Sequence, residues 1–230
     1  MSDLCRYSLI KTKLPREFLL LQGKGCVWKK CAYCDYFHDV SEDPFRVNKP
    51  ILEKITGETG TLDVINSGSA MELDSQTIEL LQKKVIEKNI HTIWFEAHWI
   101  YHKKLDDFAK LFPSAKVKFR IGVETFDSKL RMSWNKGISN EIDAKKISEY
   151  FSGACLLIGV EGQTKDAIKR DIRIAKENFE YFSVNAFVEN STPLKRDNEL
   201  VEWFVKEIFP QIKDDPPIEV LINNTDLGVG

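Results

Sequence analysis

Short apolar runs alternate with stretches of helical period along most of the chain. Phe18 to Leu21 reads as a strand, and Asp43-Pro44 opens a helix expected to end near Gly57. Leu62 to Ile65 reads as a buried strand that stops at Asn66-Ser67-Gly68-Ser69. Ser75 then caps a helix carrying Ile78, Leu80, Leu81, Val85 and Ile86. A third strand, Ile90 to Phe95, leads into Glu96, Ala97 and His98, and Leu105, Phe108 and Leu111 give the next helix its apolar stripe. Val117 to Val123 is a fourth strand ending in Glu124, with helical stretches from Ser128 and around Ile142 to Phe151. Ala154 to Val160 is a fifth strand, after which Thr164 caps a helix through Ile168, Ile172 and Ile174. Tyr181 to Val188 is a sixth. Leu200 to Ile212 is a helix with Trp203, Phe204 and Ile208 as its buried face, and Ile218 to Ile222 is a short seventh strand.

Strands alternating with helices at this rate predict an α/β fold on a parallel sheet. Periodicity alone leaves a doubly wound sheet and a barrel both open. No linker or low-complexity segment interrupts the pattern. The expectation is one domain over 1–230, with its core at about 17–213 and a short C-terminal strand and tail at 214–230.

The strand ends carry the polar residues: Gln22 and Lys24, Asn66 and Ser67, Glu96 and His98, Glu124, Asn185 and Glu189, Asn223 and Asn224. In parallel α/β folds the loops at the carboxyl ends of strands converge on one pocket, so chemistry is expected there. One such residue is ordinarily a cap or a solvated loop position. Six strands ending alike point to a site.

At 230 residues the chain is long enough to bury a sizeable core. A net charge of -2 with 30% charged residues gives a mixed surface, not the field of a nucleic-acid binder. No apolar run reaches membrane-spanning length and the N-terminus lacks an apolar signal region, so a cytoplasmic protein without membrane or direct nucleic-acid contact is expected. Cys5 and Cys155 stand alone, while Cys26, Cys31 and Cys34 fall within nine residues on the loop after the first strand. That lopsided set suits a reducing compartment better than a disulfide framework.

The loop spacing, C-x4-C-x2-C, is that of a metal site. An iron–sulfur cluster held by three cysteines keeps one iron without a protein ligand, while His38, four residues beyond Cys34, would complete a structural zinc set. Both readings stand on the loop alone. In its wider context the sequence resembles the radical S-adenosylmethionine (SAM) superfamily, whose signature is C-x3-C-x-aromatic-C after the first barrel strand. Cys26, Cys31, Tyr33 and Cys34 match it, with four residues instead of three in the first spacing.

Further segments follow in the order of that superfamily. Asn66-Ser67-Gly68-Ser69 occupies the place of the glycine-rich turn that binds the SAM amino group, without the usual Gly-Gly-Glu. Gly122 to Asp127, with Asn135-Lys136-Gly137, is similar to the fourth strand and its helix. By resemblance Glu124 faces the ribose or substrate and Lys136 meets the SAM carboxylate. Leu157 to Thr164 resembles the adenine motif of strand five, with Glu161 in place of a frequent proline. The resemblance implies a partial (β/α)6 TIM-like barrel with a [4Fe–4S] cluster on Cys26, Cys31 and Cys34. It implies SAM contacts from Tyr33, Asn66, Ser67, Gly68, Glu124, Lys136, Gly159 and Val188.

In that superfamily an electron from the cluster cleaves SAM to methionine and a 5′-deoxyadenosyl radical that abstracts a substrate hydrogen. An electron donor such as flavodoxin or ferredoxin is implied. Glu96, His98 and Glu124 are the candidate catalytic side chains, with Asn185 and Asn224 as further polar contacts and Trp28, Tyr36, Phe37 and Trp99 as an aromatic wall. Such a set suits a small polar heterocycle. Among compact members the chain looks most like the queuine lyase type, which releases the deazapurine preQ1 from queuine. Other small-molecule or tRNA-base radical SAM enzymes, or an activase, are the alternatives within the class. A zinc-stapled α/β binding module is the alternative outside it.

Overall fold

A computed structural model describes residues 4–230. Its sheet has eight strands: β1 (Tyr7–Ile10), β2 (Arg16–Leu21), β3 (Thr61–Asn66), β4 (Thr92–Glu96), β5 (Lys116–Glu124), β6 (Gly153–Ile158), β7 (Tyr181–Ala186) and β8 (Ile218–Leu221). They lie in sequential order, β1 to β8. A doubly wound sheet reverses its strand order at a switch point, whereas sequential order is that of a β/α barrel. β1 pairs antiparallel with β2, and β2–β3, β3–β4, β5–β6, β6–β7 and β7–β8 are parallel.

The helices are α1 (Pro44–Leu52), α2 (Ser75–Glu87), α3 (Leu105–Ala109), α4 (Ser128–Ser133), α5 (Ala144–Ser148), α6 (Lys165–Asn178), α7 (Asn198–Trp203) and α8 (Phe209–Ile212). The chain divides into two compact units. One takes the chain up to Lys29, Tyr36–Phe119 and Thr225–Gly230; the other takes Lys30–Asp35 and Arg120–Asn224.

In the first unit, Leu19, Val64 and Phe95 stand side by side across β2, β3 and β4, all buried. Phe95 meets Phe108 of α3 and Phe112 at ring distances of 5.2 and 5.5 Å. Burying one such phenylalanine contributes about 1.5–3 kcal/mol. The opposite face carries Phe18, Asp63 and Trp94 in register, and Arg16 Nε donates to Asp63 Oδ2 at 2.8 Å with both side chains fully buried. α1 starts as expected, with the Asp43 carboxylate accepting the Arg46 N–H, but it stops at Leu52, short of Gly57. The cap of α2 is Asp74, which accepts the Thr77 N–H, so Ser75 is the first helical residue instead of the cap. Leu111 lies past the end of α3 and is exposed, outside the stripe expected of it.

In the second unit, Ile121, Ala154, Phe182 and Ile218 align across β5 to β8, none with measurable exposure. α6 packs on β6 and β7 from that side with Ile168, Ile172 and Ala175 buried, and Thr164 caps it as predicted. The other face carries Gly122, Cys155, Ser183 and Glu219 in register, mostly small or polar, and then Asn185 between Leu157 and Leu221. Strand alternation thus places Ser183, Asn185 and Glu219 of β7 and β8 on the face opposite the apolar row. The predicted long final helix is broken by a π-turn over Phe204–Ile208 before Pro210. Phe204 and Ile208 are buried, while Trp203 is half-buried beneath the ammonium groups of Lys165 and Lys169.

Candidate active site

In the first unit the loop after β2 and the turn after β3 are held by one carboxylate. Glu72 is buried at 6% exposure. Its Oε1 accepts the Val27 N–H at 2.9 Å and the Tyr101 O–H at 3.1 Å, and its Oε2 accepts the Ser69 N–H at 2.7 Å. Its carbonyl accepts the Lys24 N–H at 2.9 Å. Cys26, half-buried on this loop, receives the Lys29 N–H on its sulfur at 3.5 Å. The predicted turn residues lie alongside. Asn66 Nδ2 donates to the Ser69 carbonyl at 3.2 Å, and the buried Ser67 hydroxyl has no hydrogen-bond partner among the described residues.

Beyond β4, the His98 N–H donates to Ser69 Oγ at 3.0 Å, and its ring stacks on Trp28 at 5.0 Å. His98 Nδ1 accepts the Ile100 N–H at 3.3 Å, so this nitrogen carries no proton in that arrangement. Glu96 is the half-buried last residue of β4. His98 thus links the end of β4 to the turn after β3 through Ser69 and to the cysteine loop through Trp28.

In the second unit Cys31 and Cys34 flank Tyr33, with the Cys34 N–H donating to the Cys31 carbonyl at 3.3 Å. Both sulfur residues pack, half-buried, against a cluster of Tyr33, Trp134, Val160 and Phe187. The Tyr33 hydroxyl donates to Glu124 Oε1 at 3.1 Å, and Lys136 Nζ donates to the same oxygen at 3.1 Å. Burial alone would lower the Lys136 ammonium, but the Glu124 carboxylate, with Cys31 and Cys34, raises it well above its usual value. Burial, the Glu124 charge and Cys31 together push Tyr33 far above the ordinary phenol range.

Glu124 is held in the left-handed region, φ 68°, where β5 slips register against β6. A non-glycine residue fixed there costs about 1–3 kcal/mol, and such strain concentrates at functional positions. Gly159 is also left-handed, φ 77°, and a Cβ there would run into the Val201 side chain. Its glycine therefore serves packing of α7 against the turn. That turn is tied by Gln163, whose side chain accepts the Val160 N–H and donates to the Leu157 carbonyl. Val188 is half-buried beyond β7.

These groups fit the cofactors that the resemblance implies. Soft thiolates suit an iron–sulfur cluster. A buried ammonium beside Cys31 and Cys34 offsets the negative charge that ligated thiolates carry, and the orphaned Ser67 hydroxyl offers a polar contact on the turn. Among the described residues no three His, Cys, Asp or Glu side chains are gathered as a single-ion site. His38 lies in a short 3-10 turn with its ring against Phe37.

No protein-family model matches the chain. The heme chaperone HemW of Buchnera aphidicola subsp. Acyrthosiphon pisum (strain APS) is 28% identical over 185 residues, covering 70% of this chain and 48% of that protein. The chain thus spans about half the length of that curated relative. Methylornithine synthase (PylB) matches over 88% of this chain and 63% of its own, with a TM-score of 0.61 at 15% identity, a likeness of fold alone. The queuine lyase from Clostridium spiroforme, solved bound to SAM and queuine, matches over 99% of this chain and 100% of its own, with 39% identity and a TM-score of 0.94. The chain belongs to the queuine lyase family of radical SAM enzymes.

Both structural matches bear out the partial TIM-like barrel class expected from the sequence, and the match to the queuine lyase bears out the enzyme class. Enzymes of this class work with SAM and a [4Fe–4S] cluster, as expected for this lyase-family chain. What the sequence reading missed in its site is Glu72. It lies three residues beyond the turn on Ser69-Ala70-Met71-Glu72, a capping-box spacing that was legible as such. Its partner Tyr101 lies in the 3-10 segment Trp99–Lys104 after β4, which carries no motif of its own.

Proposed function

We propose that this enzyme cleaves queuine, using SAM, to release the deazapurine preQ1 by breaking the bond to the cyclopentenediol. The observation that carries this reading is 39% identity along the whole chain to a lyase solved with SAM and queuine bound. When bound, the cluster and SAM supply the electron and the adenosyl carbon radical that abstracts a substrate hydrogen.

The chain supplies position. Cys26, Cys31 and Cys34 ligate the cluster through their thiolates. The turn of Asn66, Ser67 and Gly68 receives the SAM amino group, and the Ser67 hydroxyl, orphaned in the protein alone, supports that role. Lys136 meets the SAM carboxylate, while Glu124, which accepts a hydrogen bond from it, keeps its ammonium charged and faces the ribose or substrate. Tyr33, Gly159 and Val188 line the adenosyl group. On the substrate side, Glu96 or Glu124 presents acceptors to the amino-pyrimidinone edge, His98, whose Nδ1 takes the Ile100 N–H, turns its protonated ring nitrogen to the substrate as a donor, and Trp28, stacked on His98, forms part of an aromatic wall. Holding the reacting atoms in place matters more here than acid–base strength.

The electron donor is a flavodoxin or ferredoxin, acidic carriers suited to the exposed Lys24, Val27 and Lys29 of the cluster loop. Among the described residues no helix is long and apolar enough to cross a membrane. The test is anaerobic reconstitution, reduction with SAM, and chromatography for 5′-deoxyadenosine with and without queuine. Queuine-stimulated formation is the expected result; formation indifferent to queuine removes this substrate while keeping the class.

A further inference from the structure

The peptide N–H between Cys26 and Val27 is fixed by a side chain from outside the cluster motif. Glu72 Oε1 accepts it at 2.9 Å, while Oε2 accepts the Ser69 N–H at 2.7 Å. The Tyr101 hydroxyl closes the set at 3.1 Å from Oε1. Three segments, the loop after β2, the turn after β3 and the segment after β4, therefore meet on one buried carboxylate. Space around it is tight: a Cβ on Gly68 would collide with Glu72 Oε2 and stand 3.1 Å from Cys26 Cα. No lysine or arginine forms an ion pair with Glu72 among the described residues. Its hydrogen bonds come from two backbone N–H groups and a phenol. Burial, and then the charge and hydrogen bond of Glu72, push Tyr101 up to about 12, with Cys26 adding to the shift.

We propose that Glu72 is a positioning residue for the cluster: it pins Cys26 against the SAM-binding turn and fixes a negative charge beside that ligand. The inference rests on the radical SAM class and not on the identity of the substrate. A negative charge close to a cluster ligand opposes addition of an electron, so it holds the cluster at a lower potential. The two backbone bonds of the carboxylate set the distance between Cys26 and the turn, so they govern SAM affinity as well.

Two variants separate these effects. Glu72→Gln removes the charge and turns an amide N–H₂ toward the Ser69 N–H, which loses one bond while keeping the acceptor for Val27. Tyr101→Phe keeps the charge and both backbone bonds but removes the phenol that shares the charge. The experiment is an EPR-monitored redox titration of the anaerobically reconstituted full chain, together with equilibrium SAM binding and iron analysis. Glu72→Gln is expected to retain the cluster, raise its midpoint potential and weaken SAM binding about tenfold, the worth of one hydrogen bond. Tyr101→Phe is expected to shift the potential in the opposite direction with little change in SAM affinity. Unchanged potential and SAM affinity in Glu72→Gln at full iron content would overturn the proposal. If Glu72→Gln fails to retain iron, Tyr101→Phe decides: a lowered potential supports the role, and an unmoved one overturns it. A wild-type chain that takes up no cluster would overturn both this role and the radical SAM reading of the site.

Discussion

The Tyr33 hydroxyl, one residue before Cys34, hydrogen-bonds the carboxylate of Glu124 at the far end of β5, 3.1 Å away. Lys136 binds the same oxygen, so a buried ion pair and a phenol share one acceptor beside two cysteines. This links the aromatic position of the cysteine motif to the strained end of the strand.

Removing Glu124 strands a buried ammonium. Glu124→Ala should cost about 3–5 kcal/mol of stability, the penalty for breaking a buried pair from one side. Tyr33→Phe should cost less, about 1.5–3 kcal/mol, that of a lost hydrogen bond to a charged group, because Lys136 still pairs with Glu124. Denaturant unfolding of the metal-free chains at neutral pH checks both. Because the folded Lys136 is raised above its ordinary 10.5, the pair's contribution is complete below that pH. It is lost as pH rises through the folded value. The stability gap between wild type and Glu124→Gln should therefore stay constant near neutrality and close only in strong alkali.

At the other end of the cluster loop, Asp39 receives both Arg6 nitrogens, at 2.6 and 2.9 Å, and the Gln22 amide at 2.7 Å. Burial opposes its ionisation, but Arg6 and Gln22 outweigh burial and hold the carboxyl below its ordinary value. A depressed carboxyl gives stability that is present above the ordinary aspartate range and lost as pH falls through the folded value. Arg6→Ala should cost about 1–2 kcal/mol at pH 7, between a surface pair and a charged hydrogen bond. It should also flatten the loss of stability in acid below about pH 4. Thermal unfolding across pH 3–7 measures this, and parallel acid profiles for the two chains would contradict it.

Gly159 separates packing from cofactor contact. Gly159→Ala should destabilise the chain by about 1–3 kcal/mol through its left-handed backbone and collision with Val201. Adding Val201→Ala should recover part of that loss. If Gly159 also lines SAM, the double variant remains weak in SAM binding; restored affinity confines the glycine to packing.

Iron analysis tests the metal ligands. Replacing Cys26, Cys31 or Cys34 with alanine should each abolish bound iron after reconstitution, whereas His38→Ala should retain the wild-type content. Iron lost with His38, or zinc bound in stoichiometric amount with all four residues required, would contradict the assignment.

Much of this was legible from the chain. The apolar runs at Leu62–Ile65 and Ala154–Val160 read as buried strands and form β3 and β6, and Thr164 is a true cap, because local propensity and burial agree there. β1 was not legible: Tyr7-Ser8-Leu9-Ile10 is short, half-buried and becomes a strand only by pairing antiparallel with β2, which its own four residues do not specify. Ser75 lost the cap to Asp74 because a carboxylate one residue earlier reaches the Thr77 N–H. In the site, spacing made the three cysteines visible, and strand-end position made Glu124 and His98 visible. Glu72 was hidden because its importance lies in whose N–H groups it accepts. Sequence shows a carboxylate after a turn; only the folded chain brings Val27 and Tyr101 to it.

The central claim is tested most directly by mass spectrometry of the products formed from queuine under anaerobic, reducing conditions with SAM. The account predicts preQ1 accumulating together with 5′-deoxyadenosine and methionine, dependent on Cys26, Cys31 and Cys34. 5′-Deoxyadenosine formed while queuine is recovered intact would contradict it.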